Sequence, residues 1–133
     1  MWMFSFYCCG MNMADIFLLK YKNIKGNLFT YYRQKTHGSS KSQLPIEVYI
    51  TEPIAAIIKK WGNKEKSPNN YIFTIYEDSM TAEEMFQKKK NIVRMINGYI
   101  DWLGRKIGIK ERLNTSTARH SYATILKKDS VSL

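Results

Sequence analysis

Hydrophobic periodicity changes twice along this chain, and the change limits the folds it can adopt. Met13, Ile16 and Phe17 lie at helical spacing. β-branched and aromatic residues then dominate Leu28–Lys35 and Leu44–Ile50, and the polar THGSSKSQ between them is typical of a turn. Because helical spacing returns afterwards, the sequence predicts a mainly α domain with a small antiparallel β-sheet, an α+β fold.

The two β-type segments and their turn predict a β-hairpin, which a further strand near Tyr21–Ile24 could extend. Three more helices are predicted after this hairpin. The first follows Thr51 as a possible cap and ends at Gly62. The longest opens with the capping-box pattern Thr81–Glu84 and ends at Gly108. The last begins at Thr115 or Ser116. Apolar stripes are predicted at Ile54, Ile57, Ile58 and Trp61, and at Ile92, Met95, Ile96, Tyr99, Ile100, Leu103 and Ile107.

Length and charge narrow the class of protein. A chain of 133 residues with 44% hydrophobic residues favours one folded domain, and no domain boundary is evident. Its formal net charge of +10 fits a polyanion such as nucleic acid, an anionic membrane surface, or solubility alone. Runs of lysine on helices are usually solvated faces, so charge by itself selects none of these.

Cys8 and Cys9 are adjacent, and the sequence holds no other cysteine. A disulfide framework is therefore excluded, and a reducing compartment such as the cytoplasm is predicted. We expect both to be buried small side chains in an opening helix. The apolar run MWMFSFYCC is too short to span a bilayer, so we expect a core helix, no membrane partner and a truncated N-terminus. We expect no metal, because His37 and His120 stand far apart.

Three ordered segments resemble the catalytic domain of tyrosine recombinases, the phage-type integrases. They are GMNMADIFLLKYKNI at Gly10–Ile24, RQKT at Arg33–Thr36 and STARHSYATIL at Ser116–Leu126. In order, they resemble the family's first sequence motif (box one), its catalytic-lysine hairpin and its second sequence motif (box two). The resemblance is closest to the integrases of Bacteroides-type mobile elements. The resemblance implies a truncated recombinase catalytic domain over residues 1–133, without a core-binding domain.

The resemblance also implies a chemistry. The family attacks a DNA phosphate with a tyrosine hydroxyl, without metal or cofactor, and rejoins strands through a phosphotyrosyl intermediate. Arg119 would clamp the phosphate, since its planar fork contacts two oxygens at once. Lys35 would be the general acid for the leaving oxygen. Lys41 or Arg33 remains a possible alternative to Lys35, and DNA is the expected partner.

Two family positions are substituted here. Asn12 stands at the usual first arginine and Ser116 at the usual second-box histidine, and either residue could instead cap a helix. The nucleophilic tyrosine is expected beyond Leu133, and Tyr122 is interpreted as core. We therefore expect an inactive fragment; the alternatives are a non-catalytic basic DNA-binding remnant and an RNA- or protein-interaction domain.

Further expectations concern surfaces. Lys35, Arg119 and Asn12 are predicted to converge on one basic face, and His120 to be structural. Apolar surface exposed by truncation would allow self-association. Candidate contacts to the DNA backbone are Lys22, Arg33, Lys41, Lys88, Lys89 and Arg94. The expected apolar contributors are Met1, Trp2, Phe4, Phe6, Ile125 and Leu126.

Overall fold

The fold, in a computed structural model that describes residues 1–34 and 44–131, is mainly helical with a small antiparallel sheet. This confirms the predicted α+β class. Its helices are α1 (Trp2–Tyr7), α2 (Met13–Phe17), α3 (Glu52–Trp61), α4 (Ala82–Lys106) and α5 (Thr115–Val131). Its strands are β1 (Ile24–Lys25), β2 (Leu28–Tyr31) and β3 (Ile46–Tyr49), and a 3₁₀ turn covers Tyr21–Asn23.

The chain divides into two compact units. One joins Met1–Met13 to the chain from Ala82 onwards, and the other is Ala14–Thr81. We call them the terminal unit and the central unit. Neither junction has the glycine- or proline-rich composition of a linker, because both fall at the starts of helices. The sequence therefore carries no compositional sign of this division.

The sheet of the central unit confirms the predicted hairpin. Its strand order is β1-β2-β3, and both pairings are antiparallel. Phe29 lies opposite Val48, and both are buried. β2 ends at Tyr31, earlier than the predicted end at Lys35, and the hairpin's turn lies outside the described residues. As alternation predicts, Tyr31 packs near Phe29 while Tyr32 is exposed.

Helix α3 buries only part of its predicted stripe. Ile54 is fully buried, whereas Trp61 at the far end is exposed. Thr51 occupies the N-cap position, but its hydroxyl makes no capping hydrogen bond within the part of the chain that the structure describes. Gly62 ends the helix as predicted, and its N–H donates to the carbonyl of Ile58 at 2.8 Å.

The segment after α3 completes the core of the central unit. Ile72, Phe73 and Tyr76 are buried. The Ile72 N–H donates to the Leu19 carbonyl at 2.9 Å, and Phe17 meets Tyr76 edge to face at 6.2 Å between ring centroids. Backbone pairing and aromatic packing therefore hold this short apolar segment against α2.

In the terminal unit, α1 packs on α5. Its buried apolar side chains are Phe4, Cys8, Met11, Met13 and Ala118. Burial of Phe4 corrects the expectation that it would contribute to an exposed apolar surface, because α1 turns this ring inward. Met1, Trp2 and Phe6 are partly exposed.

The predicted apolar stripe of α4 is only half right. Ile92, Ile96, Ile100 and Leu103 are partly buried, but Met95, Tyr99 and Ile107 are exposed. At about 100° per residue both groups belong to one broad apolar face, with Met95 and Tyr99 at its edge and Ile107 just beyond the end of α4, so only part of the predicted stripe is covered. Gly104 is buried against Leu113: a Cβ added to Gly104 would lie only 2.7 Å from the Cδ1 atom of Leu113.

The two cysteines differ, which corrects the expectation that both are buried in a helix. Cys8 is buried at the end of α1, and burial together with the neighbouring Cys9 raises the pKa of its thiol. Cys9 is exposed and lies outside the helix, with φ at +63°. A left-handed conformation is costly for a residue with a side chain, so the α1–α2 turn is a strained one.

Candidate functional site

Three residues that the resemblance singles out line one small pocket in the terminal unit. Its walls are Gly10, Met11, Asn12, Met13, Thr115, Ser116 and Arg119, and its volume is about 60 Å³. The pocket thus brings together Asn12, Ser116 and Arg119. Cavities for organic ligands are typically larger than about 300 Å³, so this pocket suits a small polar group or anion.

Asn114 caps the start of α5, next to this pocket. The Thr117 N–H donates to Asn114 Oδ1 at 3.2 Å, and the Asn114 N–H donates to Thr117 Oγ1 at 3.0 Å. This reciprocal arrangement is a capping box. The interpretation of Ser116 as the cap is therefore wrong: Ser116 is exposed in the first turn and lines the pocket.

Side chains from α4 and α1 hold the segment that leads into α5. The Thr115 N–H donates to Asn97 Oδ1 at 2.8 Å, and the Leu113 N–H donates to Asp101 Oδ1 at 3.3 Å. The indole N–H of Trp2 donates to the Asn114 carbonyl at 3.0 Å. Asn97, Asp101 and Trp2 carried no distinctive sequence signal, although the Asn114-Ser-Thr-Thr117 spacing could have indicated the cap.

The α1–α2 turn forms the opposite wall. Cys9 and Gly10 have consecutive positive φ angles, +63° and +76°. The Gly10 N–H donates to the Ser5 carbonyl at 2.8 Å, which is the 6→1 bond of a helix-ending Schellman motif. The buried Ser5 hydroxyl donates to the Met11 carbonyl at 2.5 Å. Backbone and side chain therefore fix the same turn.

Arg119 is exposed, and its guanidinium is available to a ligand. No carboxylate among residues 1–34 and 44–131 forms an ion pair with it. A cation that is not neutralised locally can hold an anion in the pocket without first breaking a salt bridge.

Tyr122 lies one helical turn beyond Arg119 and is engaged elsewhere. Its side chain is hydrogen-bonded to Cys9, and it meets Phe6 edge to face at 6.5 Å between centroids. The bond to Cys9, followed by burial, raises the pKa of the Tyr122 hydroxyl. A raised pKa disfavours the phenolate that an attack on phosphorus would need.

The other predicted contacts that the structure describes do not line this pocket. Lys35 and Lys41 lie outside the described residues, so their convergence with Arg119 stays a prediction. Lys22 is exposed and Arg33 is half-buried in the central unit, whereas Lys88, Lys89 and Arg94 lie on α4. His120 is exposed, and its backbone carbonyl accepts a hydrogen bond from Thr124.

A larger groove in the central unit has the wrong charge for an anion. It measures about 380 Å³ and is lined by Asn63, Asn70, Tyr71, Thr74, Tyr76, Glu77 and Asp78. Burial raises the pKa of Tyr71 and Tyr76, and Asp78 raises that of Tyr71 further. The two carboxylates would repel a phosphate, so we assign no phosphate site to this groove.

Two further properties bear on ligands and membranes. Within the described residues, no three histidine, cysteine or acidic side chains lie together as a metal site would require. None of the helices in the same part of the chain is both long and apolar enough to cross a bilayer.

The sequence matches the model of one protein family. The model of the phage integrase family matches residues 2–133, nearly the whole chain. The chain belongs to the phage integrase family, the tyrosine recombinases, whose function is DNA recombination. No curated protein and no solved structure shows significant similarity to the chain. The closer resemblance to Bacteroides-type elements stays a prediction.

Proposed function

We propose that this chain binds duplex DNA through its backbone and holds one phosphate in the Arg119 pocket, but does not cleave the strand by itself. The observation that carries the proposal is that Asn12, Ser116 and Arg119 line one pocket. The parent reaction would be integration or excision through a phosphotyrosyl intermediate. In this proposal Arg119 clamps the phosphate, and Lys35 serves as general acid.

Chemistry at the pocket supports the clamp. Guanidinium can donate two parallel hydrogen bonds to phosphate oxygens and stays charged at every working pH. The same two bonds stabilise the additional negative charge that develops when phosphorus is attacked. The small volume of the pocket suits a phosphate group better than a base or a sugar.

The state of Tyr122 supports the absence of cleavage. Of the nine tyrosines in the sequence it is the one nearest to Arg119 along the chain, and it is held by Cys9. A nucleophile must be free to reach phosphorus in line with the leaving oxygen. We propose that no tyrosine of this chain fills that role, so the bound strand stays intact.

DNA binding tests the clamp. We expect Arg119→Ala to weaken binding to a fluorescent 20-bp duplex at low salt by about tenfold, the scale of one charged hydrogen-bonded contact. The slope of log affinity against log salt should fall by about 0.9, as for one lost phosphate contact. Fluorescence anisotropy measures both quantities.

Arg112→Ala is the matched control. Arg112 is also exposed and also belongs to the terminal unit, so this variant loses the same charge away from the pocket. It should weaken binding much less than Arg119→Ala. Equal losses in the two variants would show that only net charge matters, and the clamp would be abandoned.

Cleavage is tested with nicked suicide substrates on denaturing gels. The proposal predicts no covalent protein–DNA adduct for the chain or for Tyr122→Phe. An adduct that persists through denaturation would contradict it, and loss of that adduct in Tyr122→Phe would identify the nucleophile.

The substituted positions favour a second candidate, DNA binding at a pocket that never supported cleavage. Asn12 and Ser116 leave Arg119 as the single cation among the residues that line the pocket. Asn12→Arg should strengthen duplex binding several-fold, since one more charged contact becomes available. If Asn12→Arg and Ser116→His leave both binding and cleavage unchanged, neither position faces a bound phosphate.

A further inference from the structure

Gly10 makes an unusually close approach to Arg119 within the terminal unit. A Cβ built on Gly10 would lie 2.9 Å from both the Cα and the Cγ of Arg119, and 3.2 Å from its Cβ. Such separations are shorter than carbon atoms in van der Waals contact allow. The backbone of the α1–α2 turn therefore rests directly on the base of the Arg119 side chain.

This turn cannot move away easily. Its Gly10 N–H is bonded to the Ser5 carbonyl, and the Ser5 hydroxyl holds the Met11 carbonyl. The next residue back, Cys9, interacts with the side chain of Tyr122, which lies one helical turn beyond Arg119 on α5. The turn therefore meets α5 at Cys9 as well as at Gly10.

Helix α5 is equally constrained at its start. Asn114 caps it, Asn97 accepts the Thr115 N–H, and Trp2 binds the Asn114 carbonyl. Two fixed elements therefore meet at the Gly10–Arg119 contact. Any added volume there must displace the Arg119 stem and also press on the α5 backbone, because a new Cβ would meet both the Cγ and the Cα of Arg119.

We infer that Gly10 is a positioning residue: its bare Cα forms the surface against which the Arg119 stem lies, directing the guanidinium into the pocket. The inference deepens the proposed function and rests on it. Gly10 touches no phosphate itself. It limits the conformations of Arg119, which reduces the entropy that the arginine loses when it binds an anion.

The test is a cycle of variants in the 133-residue chain, with affinity for a 20-bp duplex measured by fluorescence anisotropy. Gly10→Ala should weaken binding about as much as Arg119→Ala, roughly tenfold. The double variant should be no weaker than Arg119→Ala alone, because the two residues act through one contact.

Gly108→Ala is the matched control for backbone strain. Gly108 also has a positive φ, +92°, and belongs to the same unit, but a Cβ there would meet nothing within 4 Å. The thermal stability of the Gly108→Ala variant should fall, because alanine is strained in the left-handed backbone conformation, while its DNA affinity stays unchanged. Gly10→Ala should lose more stability than Gly108→Ala, because its Cβ also clashes with Arg119. A purely structural role for Gly10 would show itself as this loss of stability with no loss of DNA affinity in the folded variant.

The outcomes separate the two claims. If Arg119→Ala binds normally, the proposed phosphate clamp fails and the role of Gly10 fails with it. If Arg119→Ala is weakened but Gly10→Ala is not, only the positioning role is overturned. Additive losses in the double variant also overturn it, since Gly10 would then act independently of Arg119.

A measurement on the unmodified chain covers the case in which Gly10→Ala fails to fold. Nuclear Overhauser spectroscopy should show contacts between the Gly10 Hα protons and the Hγ protons of Arg119. Their presence with the Arg119 side chain in a single χ1 rotamer supports the inference. Rotamer averaging without these contacts overturns it.

Discussion

The two halves of α5 have opposite surroundings. In the first half, Asn114, Asn97 and Trp2 hold the helix start, and Ala118 is buried. In the second half, every side chain from Ala123 to Asp129 is exposed. The candidate phosphate pocket belongs to the first half. Within the terminal unit, the candidate site therefore lies where polar anchors fix the backbone, and the exposed apolar residues Ile125 and Leu126 lie away from it.

This contrast teaches that packing on one helix is set by its partners and not by its own pattern. Tyr122 and Leu126 are one turn apart along α5. Tyr122 meets Phe6 and Cys9, whereas Leu126 is 53% exposed. The change of surroundings occurs over a single turn, so substitutions on either side of it should have very different effects.

The largest expected effect is on stability. Trp2→Ala removes the indole donor to Asn114 and the stacking of the ring on Phe6 at 6.3 Å. It should lower the free energy of unfolding by about 2–4 kcal/mol, as for a large aromatic that is partly buried. Leu126→Ala should change it by less than about 0.5 kcal/mol. Urea denaturation measures both, and similar losses would remove the contrast between the halves.

Self-association should depend on the exposed second half of α5, whose substitution has little effect on stability. We expect the exposed Ile125 and Leu126 to mediate weak contacts between copies, because apolar surface buried between copies leaves water. Ile125→Lys combined with Leu126→Lys should reduce the association constant at least about tenfold, a change of about 1.4 kcal/mol. Sedimentation velocity over a concentration series measures this. A chain that is monomeric throughout the series would rule the contacts out.

A smaller effect is expected at the helix cap. Asn114→Ala should cost about 1 kcal/mol of stability, the usual value for a lost N-cap. It should also weaken DNA binding modestly, because the start of α5 positions Arg119. Asn114→Ser is the control, since its hydroxyl can still accept the Thr117 N–H. Should the serine variant lose as much as the alanine variant, capping is not the reason.

The smallest effect concerns pH. Burial raises the pKa of Cys8 from its ordinary value of 9.0, so the folded state keeps the proton after the unfolded chain has released it. The contribution of this thiol to stability should therefore be constant well below pH 9 and fall above it, by about 0.8 kcal/mol at pH 9.5. Cys8→Ala should remove this contribution to the fall, leaving the smaller one of the tyrosines whose pKa is raised. Cys9→Ala, which changes the exposed neighbour, should retain the contribution of Cys8.

The sequence predicted the class of fold because its periodic segments are long and distinct. The hairpin was found from the aromatic and β-branched residues around Phe29 and Val48. Exposure of Met95 and Tyr99 could not be foreseen, because a stripe on α4 shows only that a face is apolar. Whether another element covers that face depends on tertiary contacts distant in sequence.

The sequence singled out three residues that line the pocket, but not the side chains that support it. Family resemblance identified Arg119, Asn12 and Ser116, and they share one pocket. Ser5, Asn97 and Gly10 were missed, because each acts through a backbone atom or a close approach. A serine that bonds a carbonyl six residues away leaves no spacing signal. Gly10 appeared in the sequence only as the first residue of the segment that resembles the family's first box.

The central claim is that the Arg119 guanidinium holds a DNA phosphate. Side-chain ¹H–¹⁵N spectroscopy of the arginine Nε–H groups tests it most directly, with Arg119→Lys used to assign the resonance. On titration with a duplex at low salt, we predict that the Arg119 signal shifts and sharpens while that of Arg112 stays in place. If the Arg119 signal does not move although the DNA is bound, the pocket does not hold phosphate and the account is wrong.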